Sequence, residues 1–413
     1  MFDRGVSVIG LGYIGLPTSA VIAAQGVRVH GVDVNAATVD AVNAGRVPIV
    51  EPDLDVAVAG AVARGYLTAA TSAAPADVHI LAVPTPFSEG HQPDLSYVQA
   101  AAEAVAPHLQ PGDIVILEST SPPGTTLKVS EWIAAQRPDL RMPHLDAENP
   151  DIHVAHCPER VLPGRIMVEL ITNDRVVGGL TPACATRAAE LYALFCKGEI
   201  LLTDAASAEM AKLVENSFRD VNIAFANELS NICERLGFDV WEIIRLANRH
   251  PRVNVLNPGP GVGGHCIAVD PWFIVAAAPE EAVLIRHARE TNDARPAGVV
   301  QRIREVTRAG EAVACLGLAF KADIDDMRES PAVHVVAELA AAEPDRTILA
   351  VEPHVSALPK ELAGLPNVRL VGLEEAVSGA GTIALLVDHQ AFHAVDRGDL
   401  DAKSVVDTRG FWR

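Results

Sequence analysis

No run of the 413 residues approaches the roughly 20 uninterrupted apolar positions of a membrane span, although hydrophobic residues make up 49% of the chain. A membrane protein is therefore not expected. No leader is visible either: Met1-Phe2-Asp3-Arg4 leads straight into the β-like Val6–Ile9, which makes the cytoplasm the expected compartment. The six cysteines, Cys157, Cys184, Cys196, Cys233, Cys266 and Cys315, show neither CxxC nor any other metal-ligand spacing. That argues against a zinc site and a disulfide framework, so no metal is expected and the thiols are expected to be reduced. Positive charge is scarce as well. With 33 Lys and Arg against 53 Asp and Glu, the formal net charge is −20, a surface that repels a polyanion, and nucleic acid is not an expected partner. Low-complexity tracts are absent. What remains is a globular chain, too long for one ordinary core and expected to form two or three domains.

What the chain does contain is alternation. Val6–Ile9, Arg28–Val32, Val78–Val83 and Ile114–Glu118 read as strands separated by helical stretches, the pattern of a parallel sheet covered by helices. A loop rich in Pro, Asp and Asn follows at about 137–151, then mixed structure to about 180. From about Thr203 to Leu236 one long helix is predicted, because Met210, Leu213, Val214, Val221, Phe225, Leu229 and Ile232 recur at helical spacing. After Glu311 the alternation restarts, with Val313–Leu318, Thr347–Val351 and Thr382–Val387 as strands, in a coarse resemblance to the N-terminal end. The expected fold is α/β: two Rossmann-like doubly wound domains joined by a long helix and a helical middle domain, divided at 1–200, 201–300 and 301–413. The apolar stripe on the long helix suits either packing within one chain or pairing with a second copy, and a homodimer is the expectation.

Gly10-Leu11-Gly12-Tyr13-Ile14-Gly15 directly follows an apolar strand and opens a helical pattern. Glycines there permit a tight turn and let backbone N–H groups approach a pyrophosphate at a helix N-terminus. Asp33 then ends the second strand, placed to accept hydrogen bonds from the adenosine ribose, and its charge would repel a 2′-phosphate. NAD is the expected cofactor. Two further strand ends aim at the same crevice, Val83-Pro84-Thr85-Pro86 and the segment Glu118 to Thr126. The hydroxyls of Thr85, Thr120 and Thr126 are candidate contacts to cofactor or to an active-site water, with ordinary turn chemistry as the competing explanation.

Lys212, Asn216 and Arg219 are spaced i, i+4, i+7 and share one face of the long helix. Either that face is solvated, or it carries an acid/base lysine whose pKa a basic neighbour and a desolvated cleft would lower. Cys266 ends the glycine-dense segment Gly259 to Gly264, and Asp270 follows four residues later. A lone cysteine is more often an inert core residue than a nucleophile, but glycines on its N-terminal side leave this thiol accessible. A thiol paired with a hydride acceptor suggests two successive oxidations. An alcohol becomes an aldehyde, Cys266 adds to it, the thiohemiacetal is oxidised to a thioester, and water releases a carboxylate. A one-step dehydrogenase of the β-hydroxyacid type, sharing the fingerprint and a lysine and asparagine, would need neither Cys266 nor a third domain.

Taken together, "GLGYIGLP" at 10–17, "VPTP" at 83–86, "ESTSPPGTT" at 118–126, "CPERVLPGRIMVEL" at 157–170, "AEMAKLVENSFRDVNIAFANELS" at 208–230, "GPGVGGHCIAVDPWF" at 259–273 and "FKADIDDMRESPA" at 320–332 resemble the UDP-glucose/GDP-mannose dehydrogenase family nearly end to end. The resemblance implies that Cys266 is the nucleophile, Lys212 the acid/base or oxyanion-stabilising lysine and Asn216 its partner. It implies that Glu159 works with Thr120 on the hydrolytic water, and that Asp270 is the acid following the nucleophile. Gly10, Gly12, Tyr13, Ile14, Gly15, Asp33, Thr85, Thr120, Thr126 and Lys321 are the implied cofactor contacts. Arg160, Val161, Lys212, Asn216, Arg219, His250, Arg252, Gly263, Phe320, Lys321 and Arg328 are the implied contacts of a UDP-sugar, with the loop Arg249 to Arg252 partly serving a neighbouring subunit. Where UDP-glucose enzymes carry a lysine between nucleophile and acid, this chain reads Cys266-Ile267-Ala268-Val269-Asp270. That departure, with "DPWF" and the closing "VVDTRGFW", implies UDP-N-acetyl-D-mannosamine as substrate, with UDP-N-acetyl-D-glucosamine as the alternative.

Overall fold

The strands around the first glycine motif assemble into one sheet of eight. The computed structural model describes residues 2–49, 51–264 and 266–413. In it β1 (Val6–Ile9), β2 (Val29–Val32), β3 (Leu67–Ala70), β4 (Val78–Leu81), β5 (Ile114–Leu117), β6 (His153–His156), β7 (Arg175–Gly179) and β8 (Ile200–Asp204) lie in the order β3-β2-β1-β4-β5-β6-β7-β8. Neighbours are parallel except β6 and β7, which pair antiparallel through Ala155 with Gly179 and His156 with Gly178. β1, β4 and β5 are buried throughout, which is why they read as near-continuous apolar runs and not as an alternation. The chain leaves β1 for β2 and β3, then returns to lay β4 on the other side of β1. This reversal opens a crevice at the carboxyl ends of β1 and β4, where a doubly wound sheet takes its ligand.

Expected strands end one or two residues early where a side chain takes over from the ladder. Val83 and Glu118 lie just past β4 and β5, and there Ser119 Oγ accepts from Val83 N at 2.9 Å and donates to Val83 O at 2.7 Å. Helices cover both faces. Gly15–Ala24 is buried along nine of its ten residues and packs on the helices Leu54–Ala63 and Ile166–Thr172. Leu16, Ile22, Leu54 and Ile80 belong to the core on one side of the sheet, and Leu81, Val115, Leu117 and Val129 to the core on the other. Two helices start where capping chemistry predicts. Asn35 accepts from Ala37 N ahead of Ala36–Asn43, and Thr181 accepts from Cys184 N ahead of Pro182–Tyr192, with proline at its first position.

The chain divides into two compact units, Met1–Glu215 and Asn216–Arg413, and the division falls inside the helix Ala205–Leu236. In the second unit the helices Val240–Ala247, Asp270–Ala277, Val283–Asp293 and Arg295–Val306 precede a parallel sheet of β9 (Val313–Leu316), β10 (Ile348–Val351), β11 (Val368–Leu370), β12 (Thr382–Leu385) and β13 (Ser404–Asp407). Its order, β11-β10-β9-β12-β13, repeats the reversal seen around β1. The fold is thus α/β with two Rossmann-like sheets and helices between them in sequence. Among the described residues no helix is long and apolar enough to cross a membrane.

Candidate active site

The nucleotide crevice is built from backbone. Gly10 has φ +99°, and a Cβ there would lie 2.3 Å from the carbonyl oxygen of Ala82. A Cβ on Gly15 would lie 1.9 Å from the carbonyl oxygen of Gly10. Both positions exclude any side chain, whereas Gly12 faces open space. The glycines therefore do two jobs: the outer pair lets the turn close against β4, and the middle one leaves room for a ligand at the N-terminus of Gly15–Ala24. Asp33 accepts from Leu11 N at 3.0 Å and from Asn35 N at 2.9 Å, so its carboxylate is locked at the lip of the crevice with lone pairs left for ribose hydroxyls. These residues fit a dinucleotide, and Tyr13 and Ile14, half-buried, line the same turn.

The threonines of the neighbouring turns are differently employed. Thr85 Oγ1 donates to the carbonyl of Thr120 at 2.6 Å, which ties the β4 turn to the β5 turn. Thr126 is fully buried, and its hydroxyl donates to Glu209 at 2.6 Å. Glu209 also accepts from Gly124 N at 2.6 Å and Thr126 N at 2.7 Å, so one carboxylate on the long helix closes the first turn of Thr125–Gln136. Burial pushes its pKa up, and the three donors pull it back only in part. Lys212 is half-buried one turn further along, and Glu215 pairs with Arg160 at 2.6 Å.

Glu159 sits just beyond β6, 9% exposed, with Oε1 accepting from Arg160 N at 2.7 Å and Oε2 facing the Arg175 guanidinium at 3.3 Å. Glu51 accepts from Gly164 N and Ile166 N at 2.8 and 2.7 Å, pinning the loop that carries Arg160 and the half-buried Val161.

In the second unit Cys266 is exposed, and its carbonyl accepts from Val269 N and Asp270 N, a turn that leads into Asp270–Ala277. Cys157, Cys184, Cys233 and Cys315 are buried, and burial pushes the thiols of Cys157 and Cys315 up to about 12. Inertness of that kind is set by desolvation. Asp270 is 3% exposed and accepts from Asn216 Nδ2, which brings two of the expected catalytic residues together across 54 positions of sequence. The glycine segment before Cys266 is held at both ends. Gly259 N donates to Asn227 Oδ1 at 2.9 Å, and Gly259 O accepts from Arg295 Nε at 3.0 Å. At the other end a Cβ on Gly263 would lie 2.5 Å from both Glu329 O and Pro331 Cδ, and Gly264, φ +84°, lies against the Phe320 ring. The "FKADIDDMRESPA" segment is thus the wall on which the cysteine loop rests. Lys321 is exposed at its start, and Arg328 is exposed and paired with Asp326 at 2.7 Å. His250, Arg252 and Arg219 are exposed, and Arg252 N donates to His250 Nδ1 at 3.3 Å. His265 lies outside the described residues.

Sequence reasoning did not find Asn227, Arg295, Glu209, Glu51 or Arg175. Each acts through a partner 16 to 115 residues away, and spacing along the chain carries no trace of that. Among the described residues Asp323, His354 and His389 come within metal-ligand reach of one another. His389 has both nitrogens engaged, however: Nδ1 accepts from Asp323 N at 2.9 Å, so Nε2 carries the proton it donates to Glu352 at 3.0 Å.

A dinucleotide crevice at the amino end, an accessible cysteine on a braced glycine loop, and a second parallel sheet define an NAD-dependent dehydrogenase acting on a nucleotide sugar. The chain belongs to the UDP-glucose/GDP-mannose dehydrogenase family, matching its NAD binding domain over residues 4–196, its central domain over 206–294 and its UDP binding domain over 314–413. It is 57% identical to an NDP-N-acetyl-D-galactosaminuronic acid dehydrogenase of Ralstonia nicotianae over 99% of this chain and 96% of that one. It is 54% identical to the UDP-N-acetyl-D-mannosamine dehydrogenase of Escherichia coli over 99% of both. Among solved structures it resembles a UDP-D-ManNAc dehydrogenase of Pyrococcus horikoshii, with TM-score 0.85, 37% identity, and coverage of 99% of this chain and 96% of that one.

Proposed function

We propose that this chain oxidises UDP-N-acetyl-D-mannosamine at C6 to UDP-N-acetyl-D-mannosaminuronate in two steps, as a cytoplasmic homodimer with an N-terminal NAD domain, a central helical domain and a C-terminal UDP-sugar domain. The observation that carries it is Cys266, the one exposed cysteine among six, on a loop braced by Asn227, Arg295 and Phe320. A dehydrogenase that stops at an aldehyde or ketone has no use for such a residue.

Bound NAD supplies the hydride acceptor for each of the two oxidations. In between, the Cys266 thiolate adds to the aldehyde carbon, and the resulting alkoxide takes a proton. Lys212 and Asn216 are the donors assigned to that oxygen, and Asp270 orients Asn216 through the bond already in place. Oxidation of the thiohemiacetal leaves a thioester. Glu159, with Thr120, takes a proton from water as its oxygen bonds to the acyl carbon; the C–S bond then breaks, returning the thiolate and releasing the carboxylate. Arg160, Val161, Arg219, His250, Arg252, Gly263, Phe320, Lys321 and Arg328 are assigned to substrate.

Support for the N-acetylmannosamine substrate comes from the 54% identity to the Escherichia coli enzyme and from the absence of a lysine between Cys266 and Asp270. The 57% identity to a relative named for N-acetylgalactosaminuronic acid favours a second reading, in which the same chemistry acts on that epimer. The deciding experiment is NADH formed per mole of limiting UDP-N-acetyl-D-mannosamine, UDP-N-acetyl-D-galactosamine and UDP-N-acetyl-D-glucosamine. About two NADH from the first, with little from the others, is expected. Two from another epimer replaces the substrate and keeps the chemistry, while one from any of them removes the role given to Cys266.

A further inference from the structure

Behind Glu159 lies a cluster of ionisable groups that the proposed chemistry does not use. Arg175, the first residue of β7, is 5% exposed. Its Nη2 donates to Glu159 Oε2 at 3.3 Å and to Leu170 O at 3.4 Å, and its Nη1 points at Cys157 Sγ, 3.7 Å away. The guanidinium lies over the Tyr192 ring at 4.7 Å and the Phe195 ring at 5.3 Å. Tyr192, fully buried, donates from Oη to Glu118 Oε1 at 2.7 Å, and Glu118 Oε2 accepts from Thr18 at 3.5 Å, on the helix that starts at the nucleotide turn. Two aromatic faces and a carbonyl leave the Arg175 head a single orientation, and lysine has no fork with which to fill it.

One cation therefore serves two buried carboxylates. Glu118 is the one without a direct contact to it; burial, and then the charge of Glu159, push its pKa up to about 7. Near neutrality Glu118 so retains much of its proton, and the cation's direct bond goes to Glu159. The other ionisable groups around Glu159 are Cys157, held neutral by burial, Arg160, and Glu169 and Asp174, which border the same small cavity. Both of those acids are engaged: Glu169 accepts from Leu162 N at 2.9 Å and Asp174 from Glu199 N at 2.8 Å.

We propose that Arg175, clamped by Tyr192 and Phe195, is the positioning residue of Glu159 and that thioester hydrolysis, not hydride transfer, depends on it. This rests on the assignment of Glu159 to hydrolysis made above. A buried carboxylate whose cation is removed can swing toward the donors that remain, and misplacement by about 1 Å is enough to cost roughly a hundredfold in a step that needs an aligned water.

The test compares Arg175→Met, Arg175→Lys and Glu159→Gln with the parent enzyme, using whichever UDP-N-acetylhexosamine it oxidises and saturating NAD. Rapid mixing reads NADH in the first turnover, steady-state assays give kcat and KM, and acid quench with mass spectrometry reads acyl-enzyme on Cys266. For Arg175→Met the expected result is first-turnover NADH within about twofold of the parent, KM within about threefold, kcat down at least about tenfold, and accumulated acyl-enzyme. Arg175→Lys should accumulate less, since it restores charge without the fork; it also stands in if the methionine variant does not fold. Equal loss of first-turnover rate and kcat, or no acyl-enzyme in either Arg175 variant while Glu159→Gln accumulates it, overturns the inference alone. Absence of acyl-enzyme in Glu159→Gln overturns the assignment beneath it.

Discussion

The proposal rests on Asp33 and Cys266 as single side chains, and each allows a sharp expectation. Asp33 already spends one lone pair on each oxygen on Leu11 N and Asn35 N, so its removal loosens the turn and, on the proposed reading, deletes the acceptor for a ribose. Asp33→Ala is expected to raise KM for NAD by roughly tenfold or more, the cost of about one to two charge-assisted hydrogen bonds, and to narrow the gap between NAD and NADP. Initial rates with both dinucleotides check this; an unchanged preference would mean that discrimination lies elsewhere. Cys266→Ala is expected to abolish acid formation while leaving dinucleotide binding intact, measured by product analysis and NAD titration. At this scale the sequence was readable. A glycine whose Cβ would collide with a carbonyl, an acid at the end of the second strand, and a cysteine after glycines are local signals, because local backbone geometry selects them. Arg175 and Glu209 were not readable, because their meaning lies entirely in partners that the fold delivers.

Among the elements the helix Ala205–Leu236 is the most informative. Its apolar stripe is real, but it is not core: Phe218 is 71% exposed and Phe225 56%, with Ile232 and Leu236 also exposed, while Leu213 is buried. Phe218, Phe225 and Ile232 recur at seven-residue spacing, with Leu236 four residues on, along one side, the geometry of a surface that a second helix covers. Burying several such side chains at about 25 cal/mol per Å² contributes several kcal/mol toward such a pairing. Sedimentation is expected to show a dimer for the parent chain and a monomer for Phe218→Lys combined with Phe225→Lys; a parent chain that sediments as a monomer would remove the dimer from the proposal. On the buried side of the same helix, Glu209→Ala leaves two backbone N–H groups and the Thr126 hydroxyl without their acceptor. A loss of about 3 kcal/mol is expected, seen as a fall of several degrees in Tm. The predicted helix and the strands of both sheets nearest β1 and β9 emerged from periodicity, each to within a residue or two. β3, β6, β7, β8, β11 and β13 did not. Leu67-Thr-Ala-Ala and His153-Val-Ala-His are short and interrupted by polar residues, and what makes them strands is pairing with β2 and with β5 and β7.

For the molecule as a whole, buried ionisable groups shape the pH dependence, and three of them carry large shifts. Burial lowers the pKa of His79 to about 4 and of His156 to about 3, so below pH 6.5 the unfolded chain takes up protons that the folded chain refuses. Their stabilisation is complete above pH 6.5 and is lost as pH falls toward 4 and 3. Glu118 has the opposite sign: its raised pKa adds stability at low pH that is lost as pH rises from about 4.5 through about 7. Between those limits the two histidines give stability a slope that falls on acidification, opposed by Glu118 and by Glu209, Asp113 and Asp220, whose pKa values burial also raises. His156→Leu is expected to flatten that slope, measured as Tm between pH 7 and 4; an unchanged slope would show that other groups govern it. By itself the sequence determined the α/β class, the glycine turn of an NAD binding domain, the cysteine that follows the glycines and the long helix, because each depends on residues close together in the chain. Tertiary structure alone decided which carboxylate Arg175 serves, that Asn216 meets Asp270, and that the cysteine loop rests on Phe320 and Pro331. Those are contacts between distant segments, and any one of many polar side chains would have satisfied the sequence pattern equally well until the packing of the sheets selected the pair.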